Sequence, residues 1–468
     1  MKILISVANY GTKNDPFLHQ LLDEFRTWPC EKDIFVHTNI QKNVGDDVHV
    51  QVGLPTPDPR SLVYCHRKLF VDNIDNYDLF LYTEDDMLIK WQHVQSFIDL
   101  DSHLPPEKVP GFLRYEEGGP NTINMMDIHA IYHWRPESVE PRGPFLLADF
   151  TNKHAAMYLL TREHLRIAVD SGRYSLVPER SRYGVLESAA SDVFEYCGLQ
   201  KVICISHVDQ FLIHHLPNKY INKLGVSKAE LDNQIDALTE INAGRLTSKR
   251  LFPTKTKLLA RTFDRTYYGD CDWQVVKEVG SRSSKILSIG CDSGATEAEL
   301  MQQGHQVIAI PLDEVTAMTA RKKGVQVLTP DFEKAMGELA GETFDHIIIR
   351  QVLEHLPQPD SLLTRITDLL KQKGTIIASF LNMQFIRLPA AARTFEPLDL
   401  QKNGSSRFEH LGIQIINLKV IRSWLSRSGL SLKRSRYPVV PGLRKYSWLS
   451  FGLRAPKLSK RLIVVAQK

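Results

Sequence analysis

The sequence predicts an α/β protein with two doubly wound domains in series. At 468 residues, the chain is longer than a single hydrophobic core usually supports. Short apolar runs alternate with amphipathic segments through the first half, and the same alternation begins again at Ser284. Strands that alternate with helices form largely parallel sheets with helices on both faces. We therefore place one domain at residues 1–225 and another at residues 262–468, joined by a helical linker at 226–261.

The elements of the first domain follow from its apolar spacing. Helical segments carry apolar residues three and four positions apart, as at Leu62, Cys65 and Leu69, whereas strands are short apolar runs. Residues 105–142 are rich in proline, glycine and aromatic residues and show little periodicity, as expected of an insertion that binds the acceptor. The predicted strands are 3–8, 33–38, 79–82, 155–161, 202–206 and 211–215. The predicted helices are 17–28, 61–74, 186–197 and 227–243, with a further helix that ends at Ser171.

The second domain repeats the alternation. A strand is followed by a glycine-containing turn and a helix, and further strand–helix pairs come after it. The predicted strands are 285–289, 306–311, 325–328, 344–349 and 375–379, and the predicted helices are 296–303, 314–323 and 360–371.

The composition predicts a soluble, cytoplasmic chain. Hydrophobic residues make up 43% and charged residues 24%, both near the averages of globular proteins. We expect no signal peptide from the start MKILISV, and no stretch approaches the roughly 18 apolar residues that span a bilayer. Six cysteines without a CxxC pair suit a reducing compartment better than a disulfide framework. They are Cys30, Cys65, Cys197, Cys204, Cys271 and Cys291.

The charge is distributed unevenly along the chain. Glu409 is the last acidic residue, and the 59 residues after it carry 13 lysines and arginines, so the first 409 residues have a net charge of −9. One interpretation is a solvated basic face. The other is a surface that contacts anionic lipid headgroups or a phosphorylated acceptor, with Trp448 and Phe451 at the membrane interface. We see no nucleic-acid-binding motif, so we expect no nucleic acid partner.

Three consecutive acids close a predicted buried strand. Glu84, Asp85 and Asp86 repel one another unless a counter-charge lies close by. Glu84 and Asp86, at alternate positions, could hold Mg²⁺ or Mn²⁺ at the sheet edge where α/β folds bind ligands. The alternative is a solvated turn whose acids cap the following helix.

Spaced short motifs over residues 1–220 give the first domain a family resemblance. They are a strand that ends in Asn9-Tyr10-Gly11, the run FLYTEDDMLI, the segment YGVLESAASD, and a strand that leads to His214-His215. Together they resemble glycosyltransferases of the GT-A fold. The resemblance implies a nucleotide-sugar donor and a glycan or glycolipid acceptor.

The same resemblance implies a donor site. Glu84, Asp85 and Asp86 match the family's DxD motif, which binds the metal and the donor diphosphate, although the first acid is Glu in this chain. Asn9 and Tyr10 would lie near the nucleotide.

Two further roles are implied by position. Glu187 falls where inverting members place the general base, although Ser188 stands where a second acid is usual. A retaining enzyme would not need this base, and the alternative is an acid in the first turn of a helix. Asp86 and either His214 or His215 would bind the metal; alternatively the histidines only end a strand.

A glycine turn opens the second domain. The strand 285–289 is followed by Gly290-Cys291-Asp292-Ser293-Gly294 and a helix start. Glycines at such a turn permit positive φ and a close approach of a ligand to the backbone. The spacing is not that of the dinucleotide fingerprint, which disfavours a nicotinamide-dependent oxidoreductase.

With the downstream segments FDHIIIRQVLEHLPQPDSLL and LLKQKGTIIASF, residues 262–468 resemble class I S-adenosylmethionine-dependent methyltransferases, which have a Rossmann-like fold. The resemblance implies S-adenosylmethionine as cofactor. Ser288, Gly290 and Gly294 would lie in the cofactor loop, and Asp331 would face the adenine.

Three departures weaken that cofactor site. Ser288 replaces an acid, Asp292 replaces the middle glycine, and Pro311 replaces the carboxylate that holds the ribose hydroxyls. Loss of the contact with the ribose lowers the binding free energy of the cofactor by roughly 2–3 kcal/mol, unless Asp313 supplies the carboxylate instead. His355 is either a base or a structural residue.

The sequence therefore predicts a bifunctional glycan-modifying enzyme that performs metal-dependent glycosyl transfer, with inversion, and methyl transfer to a glycan. We expect a peripheral contact of its basic C-terminal segment with the inner face of a membrane. One alternative is a glycosyltransferase whose degenerate second domain is a scaffold or binds the acceptor. Another is a methyltransferase whose first half is a non-catalytic binding module.

Overall fold

A computed structural model describes residues 1–119, 122–174, 183–252, 256, 263–385, 407–448 and 455–468. The chain divides into two compact units, Met1–Asn242 and Ala243–Lys468. This boundary falls within the segment expected to be a linker.

The first unit is built on a five-stranded sheet of order β11-β4-β1-β2-β3, in which only β11 is antiparallel to its neighbour. These strands are β1 (Lys2–Asn9), β2 (Glu31–Thr38), β3 (Val48–Val52), β4 (Leu79–Glu84) and β11 (Met157–Thr161). The helices of this unit are α1 (Asp15–Arg26), α2 (Cys65–Asp72), α3 (Trp91–Asp101), α4 (Arg162–Asp170), α5 (Val185–Glu195) and α6 (Lys228–Asn242), with short 3-10 helices at Pro59–Tyr64 and Val208–Phe211.

Burial explains why these segments form these elements. All but the first residue of β1 are buried, as expected of a central strand covered on both faces. Helix α1 has a proline in its first turn and buries Leu18, Leu21, Leu22 and Phe25, which lie on one helical face.

Two smaller sheets complete the first unit, in the orders β6-β12-β10-β9 and β14-β8-β7-β13-β5. The region 105–142, in which the sequence shows little periodicity, contributes four strands. Its periodicity is obscured by short strands that contain or adjoin proline. The strands of the two sheets are β5 (Met87–Leu88), β6 (Lys108–Pro110), β7 (Leu113–Glu117), β8 (Ile123–Met125), β9 (Trp134–Arg142), β10 (Phe145–Phe150), β12 (Gln200–Cys204), β13 (Leu212–His215) and β14 (Val226–Ser227).

Helix α6 packs within the first unit rather than bridging two domains. It buries Leu231, Ala237 and Leu238, and the Gln234 side-chain oxygen accepts a hydrogen bond of 2.8 Å from Trp134 Nε1. Gln234 and Trp134 are both buried, so this bond fixes the helix against β9.

The second unit has a seven-stranded sheet of order β17-β16-β15-β18-β19-β21-β20. The first five strands are parallel, and β21 runs antiparallel to both of its neighbours. The strands are β15 (Lys285–Cys291), β16 (Gln306–Pro311), β17 (Gln326–Val327), β18 (Phe344–Arg350), β19 (Leu370–Leu381), β20 (Ser431–Arg436) and β21 (Arg461–Gln467). The helices are α7 (Trp273–Val279), α8 (Ala295–Gln302), α9 (Glu314–Lys322), α10 (Phe332–Glu338) and α11 (Pro359–Thr367), followed by Arg407–Leu411, Leu418–Arg427, Arg444–Trp448 and Ala455–Leu458.

Each parallel sheet has a point where the strand order reverses. In the first unit β2 and β3 lie on one side of β1, and β4 lies on the other; in the second unit β16 and β17 lie on one side of β15, and β18 and β19 lie on the other. Doubly wound folds bind ligands in the crevice at the carboxyl ends of the strands that flank such a point. The two crevices are thus bounded by Asn9 and Glu84 in one unit and by the Gly290 turn and Arg350 in the other.

None of the described helices is long and apolar enough to cross a bilayer.

Candidate functional site

In the first unit, the acidic turn lies at the crevice but does not face bulk water. Asp85 and Asp86 are each only 6% exposed, and Glu84 is half-buried with its backbone N–H bonded to the Ala156 carbonyl at 3.0 Å. The interpretation of a solvated turn is therefore wrong for Asp85 and Asp86.

Side-chain amides hold the middle acid. Asp85 accepts hydrogen bonds of 2.7 Å from both Asn9 Nδ2 and Asn14 Nδ2. Burial raises the pKa of Asp85 to about 6, against the opposing effect of these two donors. Asn9 therefore binds the turn itself, whereas Tyr10 is 52% exposed at the strand end.

The third acid faces a histidine. Asp86 Oδ2 lies 3.5 Å from His215 Nε2, and His215 Nδ1 lies 2.6 Å from Glu116 Oε1. Burial alone would raise the pKa of Asp86, but His215, Lys219 and Arg114 outweigh it and lower that pKa. The structure thus brings Asp86 and His215 together, as expected.

Glu116 is a site residue that the sequence did not reveal. It is fully buried and also accepts hydrogen bonds from the backbone N–H groups of Lys219 and Tyr220, at 3.1 and 2.7 Å. A carboxylate on Nδ1 fixes the orientation of an imidazole. Glu116 therefore positions His215 toward Asp86.

His214 does not join this group. Adjacent residues of a strand point to opposite faces, so His214 turns away from the acidic turn. Its Nε2 lies 3.2 Å from Asn218 Oδ1, and its ring stacks on Tyr115 with the centroids 5.0 Å apart.

The residues of the turn do not fit the predicted Mg²⁺ or Mn²⁺ ion. Within the described ranges, no group of three or more His, Cys, Asp or Glu side chains is arranged to hold a metal. Asp85 is engaged by two amides. Burial, together with Asp86, raises the pKa of Glu84 to about 8. The prediction of a metal site, with Asp86, His214 and His215 as ligands, is corrected on these grounds.

Glu187 caps its own helix. Its Oε2 accepts a 2.9 Å hydrogen bond from the Gly184 backbone N–H at the start of α5. This is the helix-terminus role given above as the alternative, and a role as general base stays a prediction.

The pH dependence of stability tests the environment of Asp85. Because the folded-state pKa of about 6 exceeds the usual value near 3.9, the folded state binds this proton more tightly than the unfolded state. The contribution of the Asp85 proton to the free energy of unfolding is therefore complete below about pH 4 and is lost as the pH rises through about 6. We expect the wild type to lose about 2 kcal/mol over that interval relative to Asp85→Asn, measured by urea unfolding. If the free energies of unfolding of the wild type and Asp85→Asn change with pH in the same way, Asp85 is not buried as the structure shows it.

In the second unit, both predicted loop glycines are required by geometry. Gly290 has φ +78°, and a Cβ there would lie 2.4 Å from Val352 Cγ2. Gly294 has φ +80°, and its Cβ would lie 2.9 Å from Ala320 Cα. The first glycine therefore lets the strand end pass beside Val352, and the second lets α8 begin against α9.

A buried ionic network lies beneath this loop. Ser288 Oγ donates a 2.6 Å hydrogen bond to Glu297 Oε1, and Arg350 contacts both Glu297, at 3.0 Å, and Asp292, at 3.3 Å. All four residues are buried. Burial would raise the pKa of Glu297, but Arg350 and Ser288 lower it. Ser288 thus bonds to a carboxylate carried by α8 instead of supplying one.

Two other acids near the loop serve as helix caps. Asp313 is buried, and its Oδ1 accepts from the Thr316 backbone N–H at 2.8 Å. It is therefore not available to replace the missing ribose carboxylate at Pro311. Asp331 accepts from the Lys334 backbone N–H at 3.4 Å and from Lys249 Nζ at 2.5 Å. It precedes the first residue of α10, and its role at the adenine stays a prediction.

An apolar cavity of about 260 Å³ adjoins the crevice. Phe332, which follows Asp331, lines it together with Ile289 and Val352. Phe252 also lines it and stacks on the His355 ring with the centroids 6.0 Å apart.

His355 is a structural residue. Burial lowers its pKa to about 3, and its ring lies against Phe252. The neighbouring Glu354 is fully buried, and its Oε1 accepts from the Leu381 backbone N–H at 3.0 Å.

Comparison with known proteins concerns this second unit. A family model described as a methyltransferase domain matches residues 257–434. A ubiquinone biosynthesis O-methyltransferase of Xylella fastidiosa (strain M23) is 27% identical over 180 residues, which are 37% of this chain and 70% of that protein. The protein of the same name from Xanthomonas campestris pv. campestris (strain B100) is 32% identical over 125 residues, which are 25% of this chain and 49% of that protein.

A solved structure gives a similar match. It is an S-adenosylmethionine-dependent methyltransferase from Mesorhizobium loti, with 14% identity and a TM-score of 0.31, covering 43% of this chain and 99% of that one. These matches do not support the glycosyltransferase resemblance of residues 1–220, which stays a prediction. Within the second unit, residues 257–434 therefore match a methyltransferase domain.

Proposed function

We propose that the second unit binds S-adenosylmethionine in the crevice beside the Gly290–Gly294 loop and catalyses methyl transfer to an acceptor oxygen. The glycine loop at the reversal point of the seven-stranded sheet carries this proposal, because that crevice is where doubly wound sheets bind ligands. The names of the similar proteins, which are O-methyltransferases, support oxygen as the acceptor atom.

The residues around the crevice fit this cofactor in part. The apolar cavity lined by Phe332 and Val352 suits the adenine ring, and Asp331, which directly precedes Phe332, would accept from the exocyclic amine. When bound, the cofactor supplies an activated methyl group. The loop backbone and the Arg350 network hold the strand end in place, and no carboxylate from Pro311 meets the ribose. The His355 ring packs against Phe252.

Ligand-induced stabilisation tests the proposal. A ligand that binds only the folded state raises the melting temperature in proportion to ln(1 + [L]/Kd). We expect S-adenosylmethionine and S-adenosylhomocysteine, but not methionine, to stabilise the full chain. A melting temperature unchanged at millimolar S-adenosylhomocysteine would favour the alternative, a scaffold domain that has lost its cofactor.

The missing ribose carboxylate gives a second prediction. Pro311→Asp places a carboxylate at the end of β16, the position from which the family holds the ribose hydroxyls. Two charge-assisted hydrogen bonds contribute roughly 2 kcal/mol, so we expect S-adenosylhomocysteine to bind at least about tenfold more tightly. Isothermal calorimetry measures the change, and Pro311→Asn is the uncharged control. Equal affinities of the two variants would show that no ribose lies there.

For the first unit, we propose nucleotide-sugar binding as a second function. The observation that favours it is the placement of Asn9, Asp85 and Asp86 at the carboxyl ends of β1 and β4, where the sheet order reverses. His215, at the end of β13, faces Asp86. Glycosyl transfer to a glycan or glycolipid would make the chain bifunctional, with Glu187 as the predicted base.

A screen of nucleotide sugars tests this second function. We expect at least one nucleoside diphosphate sugar to raise the melting temperature of the full chain in the presence of EDTA. Asp86→Asn should remove that shift. If no donor stabilises the protein, with EDTA or with Mn²⁺, the first unit is a module of another kind.

A further inference from the structure

The C-terminal part of the second unit exposes aromatic and basic side chains together. Trp448 is 79% exposed, the largest exposed fraction among the large hydrophobic residues that the structure describes, and Tyr446 is 49% exposed. Arg444 in the same helix is exposed, as are Lys457 and Lys460. We call these five residues the basic–aromatic patch. Phe451, expected to join them, lies outside the described residues.

The patch is attached to a packed core. Leu443, which precedes Arg444 directly, is buried in an apolar cluster that includes Leu458 and Phe385. The Val440 backbone N–H donates to the Leu458 carbonyl at 3.1 Å, which joins the two segments that carry the patch. The exposure of the patch is therefore a property of the folded surface.

The patch lies at the same sheet edge as the Gly290 loop. Asn382 directly follows β19, its backbone N–H donates to the Lys460 carbonyl at 2.9 Å, and its Nδ2 donates to the Ser459 carbonyl at 2.6 Å. Because β19 is parallel to β18 and β15, its carboxyl end and that of β15 point the same way. The patch therefore extends from the edge where methyl transfer is proposed.

Among the residues that the structure describes, no acidic side chain pairs with the cations of the patch. Arg444, Lys457 and Lys460 form no ion pair with any residue that the structure describes. By contrast, Arg434 and Arg436 of β20 both pair with the buried Glu278. No acid follows Glu409 in the sequence.

This combination matches the chemistry of a lipid interface. Tryptophan and tyrosine favour the headgroup region of a bilayer, and lysine and arginine are attracted to anionic lipids. Large exposed aromatic side chains beside polar residues commonly mark an interaction site. A nucleic acid would also meet cations and a stacking surface, but the sequence carries no motif for it.

We propose that the basic–aromatic patch binds the anionic headgroups of a lipid bilayer, so that the methyl-transfer edge faces an acceptor held in that membrane. The orientation of the methyl-transfer edge toward the membrane rests on the proposed methyl transfer, whereas the binding of lipid does not.

Co-sedimentation of the full chain with vesicles tests the proposal. We expect binding to phosphatidylcholine vesicles that contain phosphatidylglycerol, much weaker binding to phosphatidylcholine alone, and a loss of binding with added salt. Each basic residue contributes about 1 kcal/mol, so Lys457→Gln with Lys460→Gln should weaken binding by about 20-fold or more. Trp448→Ser should weaken it by about tenfold. Lys277→Gln, an exposed lysine of α7, is the matched control and should bind as the wild type does.

Three results would overturn the proposal: no vesicle binding by the wild type, equal binding to neutral and anionic vesicles, or lysine variants that bind unchanged. Vesicle-free protein that instead binds single-stranded RNA through the same lysines would also overturn it. The lysine and tryptophan variants should keep the wild-type affinity for S-adenosylhomocysteine. Failure of cofactor binding in the wild type, with vesicle binding intact, would refute the proposed methyl transfer alone.

Discussion

Arg350→Met is expected to lower the free energy of unfolding of the second unit by about 3–5 kcal/mol. The guanidinium lies between the carboxylates of Glu297 and Asp292, and all three side chains are buried. Methionine fills a similar volume but supplies no charge, so both carboxylates lose the cation that directly contacts them. Breaking a buried ion pair from one side costs far more than the pair contributes, because the remaining charge is desolvated and unpaired.

Urea unfolding followed by circular dichroism measures this loss, with Arg365→Met as the matched control. Arg365 pairs with Glu333 on the surface, where both side chains are substantially exposed, and such pairs contribute about 1 kcal/mol or less. If Arg350→Met costs no more than Arg365→Met, the network beneath the cofactor loop is not as the structure shows it.

Gly290→Ala is expected to destabilise the second unit by about 3 kcal/mol and to weaken cofactor binding at least about tenfold. Two costs add: an alanine at φ +78° is strained, and its Cβ would lie 2.4 Å from Val352 Cγ2. Relief of that clash moves either the loop or Val352, and both border the proposed cofactor crevice.

A matched glycine separates the two costs. Gly304 has φ +89°, and a Cβ there meets nothing within 4 Å, so Gly304→Ala carries the strain without the clash. We expect Gly304→Ala to cost about 1 kcal/mol and to leave cofactor affinity unchanged. Val352→Ala should partly rescue Gly290→Ala in the double variant. Equal losses in the two glycine variants would show that the clash does not exist.

The alternation of strands and helices was predictable because periodicity is a local signal. In the second unit, the strands from β15 to β19 were placed from short apolar runs. The run RLIVVAQ of β21 carries the same apolar signal, but it lies in a segment whose lysines and arginines favour a solvated surface. In the first unit, short strands such as β6 and β8 are too brief for a period to show.

The site was predictable only where a single local motif carries it. The glycine loop and the acidic turn each occupy a few consecutive residues. Glu116 and His215 are 99 residues apart, and Glu297 and Arg350 are 53 apart. No short sequence pattern predicts a contact over such separations. These partners become visible only when the sheet brings their strands and helices together.

A metal was expected at the acidic turn because its three adjacent carboxylates repel one another. Adjacent acids do need relief from repulsion, but a cation is one of several means. Here Asn9 and Asn14 bind one carboxylate, His215 faces another, and burial raises the pKa of Glu84.

Calorimetric titration of S-adenosylhomocysteine into the full chain tests the central claim most directly. If the Gly290–Gly294 loop forms a cofactor site, the titration gives a saturable heat with one site per chain, which Gly304→Ala preserves and Gly290→Ala diminishes. The absence of heat at millimolar ligand, or a heat that Gly290→Ala leaves unchanged, would contradict it.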